Sequence, residues 1–477
     1  MSTDLIFSHF LLVALLWLCV LVYVLWPYGR SSAYSTLPQP TPPRRKRSQA
    51  PHPFAGLLPK PLCAACERAT ALRPQPPSSP PPVLTFTRGR KRTIDTQQQF
   101  GPDQDCASYG WTGRGNLRAN GHPGSKRGRH LQCVSGLGYF QQTHGTPFHG
   151  KQVSPHMLVW AVGALAEGLG IRAVARVFAV DPHTVLAWLV EGAEQAAAFS
   201  PYFLHDVRVT PGQLDELFAL LSAVKTAEVS EAAAIQRWSR SPHWVWVAIA
   251  PITQLLLTIA GGDRTLAMAQ RVVHQVVPRL APDCAPLLLT EGFKEYTTAL
   301  RTPYGHWIQP ERRQVKGPEP KPRWLPLPQR RYAQVVKTVR RRRLVGVTQR
   351  VVFGTLVAVE QVLAPLGWPI NTAFVERINL DSRQHIAAVG RRVTTLGKGE
   401  AGLRQQLALY HVYPNFCLPH ASLRQPLPQP VLTNGAGSAQ LWQPCMPAMA
   451  AGLTDRVWTL REVLLFRVPP WPQPAGV

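Results

Sequence analysis

A mixed α/β domain over residues 205–420, preceded by a helical pair over 155–198, is the fold this sequence predicts. Three observations carry that expectation. Strand-like apolar runs at His243–Ile249 and Gln254–Ile259 precede a helical stretch from Arg264 to Val277. A short buried strand, Pro286–Leu289, comes next, and helical periodicity returns from Thr372 to about Val389. Upstream, apolar residues recur at helical spacing from His156 to about Ala198. Strands first and a crossover helix after them argue for a mixed sheet.

Composition sets the frame around this domain. The 477 residues, 45% of them hydrophobic, suffice for two or three globular units with a real core. Lys and Arg number 52 against 26 Asp and Glu, a formal charge of +26. Such an excess points to a polyanionic partner, because each cation that meets a phosphate releases counterions. A bias towards Arg in the genome would give the same count. The eight cysteines are scattered, with one close pair at Cys63 and Cys66, which argues against a secreted disulfide framework and for a reducing compartment.

Two segments precede the globular part. An apolar run over residues 5–26, within a hydrophobic segment 1–30, lacks formal charge and is long enough to span a bilayer. Arg30 and the cluster Arg44, Arg45, Lys46 and Arg47 follow it, so the positive-inside rule would tether a cytoplasmic protein to the cytoplasmic membrane by one helix. A buried core helix or an over-extended start codon is the alternative reading of the same run. Residues 31–100 form a Pro-rich basic linker, a semi-rigid tether ending near Arg88, Arg90, Lys91 and Arg92.

The helical pair has its own punctuation. Gly168-Leu169-Gly170 ends one helix, Ile171 to Phe178 makes the next, and Asp181-Pro182 opens a third from His183 to Val190. Pro fits a first helical turn and Asp caps free N–H groups. This is the pattern of a helix-turn-helix, whose last helix enters the major groove by its N-terminal end. His183 and Thr184 are therefore candidates for base contact, and Arg172 and Arg176 for phosphate contact. An ordinary helical hairpin in a core is the bland alternative.

The phrases QLDELFALL, LLLTEGFKEY and NTAFVERINLDSRQHIAAVGRRV resemble the three signature blocks of insertion-element DDE transposases of the insertion-sequence-one-like kind. The resemblance spans about Asp105 to Phe416. It implies a ribonuclease-H-like catalytic domain over 205–420, with catalytic acids Asp215, Glu291 and Glu376. It also implies a two-ion Mg²⁺ (or Mn²⁺) site, since two such ions about 3.5–4 Å apart activate the attacking oxygen and stabilise the leaving one in phosphoryl transfer. Glu376, Asn379 and Arg383 fall on one face of a helix, and Arg391 and Arg392 lie further along as phosphate contacts. Double-stranded DNA, as terminal repeats and target, is the implied partner, and analogy implies a homo-oligomer.

The sequence departs from that family at several points. Glu291 stands where the family has Asp, an extra methylene of about 1.5 Å beside Mg²⁺ contacts that tolerate little deviation, so impaired cleavage is expected. Residues 101–150 resemble an amino-terminal zinc ribbon with two cysteine pairs, but Cys106 and Cys133 supply one member of each. Gly101 and Gly136 stand where their partners belong. Two thiolates do not close a tetrahedral Zn²⁺ site, which leaves a vestigial one unless Cys63 and Cys66 complete it. His122, His130, His144 and His149 are the other conceivable ligands. Ala250 and Gly261 fall where the resemblance implies more acidic character.

The densest basic run is Lys337 with Arg340, Arg341, Arg342 and Arg343, read equally as a solvated helix face or as a grip on the DNA strand being cut. Residues 421–477 read as a Pro-rich tail, with Thr454–Phe466 a short docking helix. Two functions follow from these readings. One is a transposase that binds terminal repeats and carries out Mg²⁺-dependent cleavage and strand transfer, impaired in this copy. The other is an inactive, DNA-binding remnant of such an enzyme, with or without a membrane tether.

Overall fold

The computed structural model describes residues 80–84, 96–120, 129–219, 243–310, 320–327, 329–341, 343–386, 389–390, 399–431 and 439–473. The apolar run 5–26, most of the linker, Cys63, Cys66, His122, Arg342, Arg391 and Arg392 lie outside them. Among the described residues no single helix is long and apolar enough to cross a membrane.

The described part of the chain opens on a small antiparallel sheet of β1 (Leu117–Ala119), β2 (His130–Cys133) and β3 (Tyr139–Gln141). Leu117, Leu131, Cys133 and Phe140 form its core. Three helices follow, α1 (Pro155–Ala166), α2 (Ile171–Phe178) and α3 (Pro182–Phe203). Gly168 ends α1 at φ +90°, and a Cβ there would lie 2.4 Å from the Gln384 carbonyl oxygen, so only glycine fits. Asp181 Oδ1 accepts from the His183 N–H at 2.8 Å, with Pro182 in the first turn, and α3 leaves α2 at 116°. Apolar positions at helical spacing, Val174, Ala175, Val185, Trp188 and Leu189, bury themselves against Leu158, Val162 and Leu165. The third helix extends a full turn beyond the Ala198 that periodicity marks, because Phe199 and Phe203 are still packed into the next core.

A six-stranded mixed sheet forms the main body, in the order β11-β10-β7-β4-β5-β6. Its strands are β4 (Pro211–Phe218), β5 (Trp244–Ala250), β6 (Leu255–Gly262), β7 (Leu287–Glu291), β10 (Arg331–Arg340) and β11 (Arg343–Phe353). Parallel β4, β7 and β10 make its centre, β5 and β11 run antiparallel to them, and β6, paired antiparallel with β5, runs in the direction of the central strands. Helix α4 (Leu266–Val276) crosses from β6 to β7. Helix α5 (Glu295–Arg301) and a small hairpin, β8 (Gly305–Ile308) with β9 (Arg323–Pro326), fill the step to β10. After β11 come α6 (Leu356–Leu363), α7 (Ala373–His385) and α8 (Glu400–Val412).

Helices cover both faces, which is why β5 reads as the unbroken run WVWVAIA rather than alternating. On one side Leu214, Trp246 and Tyr332 meet α3, α4 and α5. On the other, Val245, Val247 and Ile249 meet α7 and α8, and Leu289 and Val335 meet α6. This arrangement is compatible with a ribonuclease-H-like fold. Ala250 is buried, and a Cβ at Gly261 would touch Leu403 and Leu407 of α8, so apolar packing occupies the places where acids were expected.

Two expectations need correction. The basic run from Lys337 is not on a helix face; it follows β10 to the turn of an antiparallel hairpin with β11. Nor is the region beyond residue 420 merely a tail. It forms a hairpin of β12 (Gln425–Val431) and β13 (Gln440–Gln443), then α9 (Pro447–Ala450) and α10 (Leu460–Leu465). Past α10, Arg467 donates to the Phe100 carbonyl at 2.6 Å and lies over its ring. Trp471 packs edge-on against Tyr109 and Trp111, so close to Gly110 that a Cβ there would sit 2.5 Å from the indole.

Edge strand β6 is closed by side chains from the last part of the domain. Asn415 donates to the Leu256 carbonyl and accepts from its N–H, both at 2.9 Å. His411 lies 2.9 Å from the same carbonyl through Nε2 and 3.0 Å from Ser200 Oγ through Nδ1. A carbonyl only accepts, so the proton is on Nε2 and Ser200 donates to Nδ1. Burial, then the nearby Arg279 charge, pushes the His411 pKa down to about 3. The unfolded chain takes a proton below about pH 6.5 that the folded chain refuses, so this histidine's support is lost as pH falls from about 6.5 towards 3. Urea unfolding of His411→Gln should show a loss of about 1–3 kcal/mol at neutral pH. That gap from wild type should narrow near pH 4.5; a gap constant with pH would exclude the buried neutral imidazole.

Candidate active site

The carboxyl ends of the parallel strands β4, β7 and β10 lie side by side, where open α/β sheets present their ligand sites. Leu214 pairs with Thr290, so Asp215 and Glu291 are the next residues along two neighbouring strands. Glu291 ends β7 rather than following it, and it pairs with Val335 on β10. Lys337 is two residues further and so on the same face of β10. Glu376 enters from the first turn of α7, where a negative charge suits the helix N-terminus.

The structure brings all three predicted acids together. Lys337 Nζ donates to Glu291 Oε1 at 2.6 Å and to Glu376 Oε1 at 2.6 Å. Thr372 Oγ1 adds a 2.8 Å bond to the same Glu376 oxygen. Asn379, one turn along α7, donates to Asp215 Oδ2 at 2.7 Å and is buried. Its own Oδ1 is buried and finds no partner among the described residues.

Gln213 was missed by sequence reasoning. It lies two residues before Asp215 on the same face of β4, fully buried. Its Oε1 accepts from the Val375 N–H at 3.0 Å, and its Nε2 donates to the Asn371 carbonyl at 3.0 Å. The start of α7, and hence Glu376, is thereby fixed to the strand that carries Asp215. An amide at this spacing from an acid was the available signal. Glu216 points to the other face, held by Arg264 at 2.9 and 2.6 Å, with that guanidinium over the rings of Trp244 and Phe293.

Burial, reinforced by the charges of Glu291 and Glu216, pushes the Asp215 carboxyl up to about 8. Burial works in the same direction on Glu376, but bonds from Lys337 and Thr372 outweigh it and hold that acid below its ordinary value. Burial alone would lower the Lys337 ammonium; its two carboxylate partners raise it instead. One lysine charge thus satisfies two acids, while the third is favoured in its neutral form.

These side chains, as arranged, do not fit a two-ion Mg²⁺ site. The Lys337 ammonium fills the space between Glu291 and Glu376 that a cation would take. Among the described residues no group of three or more His, Cys, Asp or Glu side chains is disposed to hold a metal.

The remaining candidates lie on other elements or further along these ones. Arg172 and Arg176 are exposed one turn apart on α2. His183 is exposed and Thr184 half-buried in the first turn of α3. Arg383 is half-buried on α7, and Arg340, Arg341 and Arg343 are exposed at the hairpin end. In the amino-terminal unit, Cys106 and Cys133 bring their sulfurs to 3.8 Å. Gly101 abuts Cys133, and Gly136 abuts Cys106 so closely that a Cβ would lie 3.1 Å from the sulfur. Burial raises the Cys106 thiol, which keeps it protonated. His144 and His149 bring their ring centroids to 5.0 Å, tilted at 59° to each other.

No family profile matches the chain, and no curated protein matches it. Among solved structures, a crystal structure of the Mos1 strand transfer complex is similar at 13% identity and a TM-score of 0.13. That alignment covers 32% of this chain and 56% of the other, and a likeness of this size carries no argument.

The electrostatics of Asp215 have a measurable consequence. Its folded-state pKa of about 8 exceeds the ordinary aspartate value, so the folded chain holds an extra proton between about pH 4 and 8. Stability therefore falls as pH rises through that window. Asp215→Asn keeps an acceptor for Asn379 and removes the buried charge. Its melting temperature should exceed wild type's near pH 9 and converge with it near pH 4; identical curves across the range would contradict this account.

Proposed function

We propose that this chain is a transposase-type DNA-binding protein in which the acid cleft is neutralised by its own lysine, leaving strand cleavage weak or absent. The observation that carries the reading is the Lys337 bridge between Glu291 and Glu376, beside a buried Asp215. Three acids on separate elements meeting at the carboxyl ends of a mixed sheet support descent from a DDE recombinase. The lysine in their midst and the longer Glu291 side chain support loss of its chemistry. Mg²⁺ or Mn²⁺ would enter this cleft only where it displaces the ammonium.

DNA recognition is assigned to α2 and α3. Their crossing angle of 116°, the Asp181 cap and the exposed N-terminal end of α3 suit a helix-turn-helix that presents His183 and Thr184 to base edges. Arg172 and Arg176 flank that end as phosphate contacts. An active strand-transfer enzyme is the second reading, favoured by the convergence of Asp215, Glu291 and Glu376.

Binding to duplexes selected from a randomised pool, followed by plasmid nicking, separates these readings. His183→Ala with Thr184→Ala should reduce discrimination between selected and random duplexes by about 1–3 kcal/mol per lost base contact. Arg172→Ala and Arg176→Ala should weaken all duplexes and lower the salt slope by about 1 each. With Mg²⁺ or Mn²⁺, nicking by wild type should stay at the level of Asp215→Asn. Nicking that Asp215→Asn abolishes would establish the second reading, and absence of duplex binding would remove both.

A further inference from the structure

The strands β10 and β11 outrun the sheet to which they belong. β7 pairs with β10 only from Arg331 to Val335, whereas the β10–β11 ladder continues to Arg340 opposite Arg343. The remaining residues of each strand, at about 3.3 Å apiece, form a two-stranded ribbon roughly 16 Å long. Beyond Lys337 its described side chains are exposed, including Val339 at 59%, Leu344 at 58%, Val345 at 56% and Val347 at 53%.

Stability does not account for this ribbon. A lone two-stranded hairpin is marginal in water. This one sets Arg340 directly opposite Arg343, a like-charge pair that destabilises a ladder. It also turns through Arg341 at φ +48°, a left-handed conformation usually given to Gly, Asn or Asp. Three local rules are broken within a few residues, as happens where a sequence serves function rather than folding. From Glu319 to Glu360 the sequence has no acid between those two residues, so nothing within the ribbon can compensate the guanidinium charges.

We infer that the β10–β11 ribbon is an arm that grips duplex DNA alongside the acid cleft. The inference rests on the DNA-binding reading above and adds a second, separate contact surface to it. Guanidinium groups at the tip match phosphate oxygens in a forked, charge-assisted geometry, and a phosphate removes the repulsion between Arg340 and Arg343. Strand alternation gives the ribbon two unlike faces. Thr338, Arg340, Arg343 and Thr348 share one, while Val339, Leu344 and Val347 share the face of Lys337. The apolar face therefore continues outward from the cleft itself, where a duplex held against Glu291 and Glu376 would pass. Two-stranded ribbons fit DNA grooves, and apolar side chains there contact sugars and base edges.

The test is fluorescence anisotropy of the full-length chain on a labelled duplex across a salt series. Replacing Arg340, Arg341 and Arg343 together by Gln should weaken binding about 10- to 100-fold near 150 mM salt and reduce the log–log salt slope by about 2–3. The positions are exposed, so an unchanged far-ultraviolet spectrum is expected alongside. Leu344→Ser with Val347→Ser should weaken binding without changing the slope. Wild-type affinity and slope in the arginine variant would overturn the arm while leaving recognition by α2 and α3 intact. An oligomer that the Leu344 and Val347 variant splits in the absence of DNA, with affinity unchanged, would make the ribbon a protein contact and overturn it too. Absence of any duplex binding by wild type would remove the arm together with the reading on which it rests.

Discussion

Two ionised carboxylates at neighbouring element ends repel each other unless a positive charge lies between them, and in this protein Lys337 supplies it. The repulsion that Glu291 and Glu376 would otherwise feel is strongest in a partly desolvated site. Removing one partner of such a pair costs more than the pair contributes, because the charge left behind is uncompensated. Lys337 also lies where the sheet ends and the free ribbon begins. The cleft and the arm therefore share a root.

The geometry around that charge is held by polar groups rather than by apolar packing alone. Gln213 fixes the start of α7 to β4, Thr372 orients Glu376, and Asn379 reaches Asp215. Each is buried, so each bond is formed away from competing water, and an unmade one would be costly. At the opposite edge, Asn415 and His411 do similar work on β6. Polar side chains thus finish a sheet whose strands are otherwise apolar on both faces.

Much of the architecture was legible in the residues. Glycines and Asp181-Pro182 mark the ends of α2 and α3, and apolar runs mark β5, β6 and β7, because local chemistry decides such boundaries. The three acids were found by their phrases, and Gly101 and Gly136 by the cysteines they accompany. The lysine bridge was not legible, since it depends on the register of β10 against β7, which no local pattern encodes. The same holds for the hairpin. A run of arginines has no periodicity, and Val339, Leu344 and Val347 alternate for a ribbon that buries neither face. The carboxyl-terminal region was misread because its Pro content resembles a tail, whereas its few aromatic residues decide its place.

Those aromatic residues tie the order of synthesis to the order of folding. The Phe100 carbonyl waits 367 positions along the nascent chain for the guanidinium of Arg467, and Tyr109 and Trp111 wait nearly as long for Trp471. During that interval the small sheet has an uncovered aromatic flank. Closure of this small sheet thus waits on the synthesis of residues far along the chain.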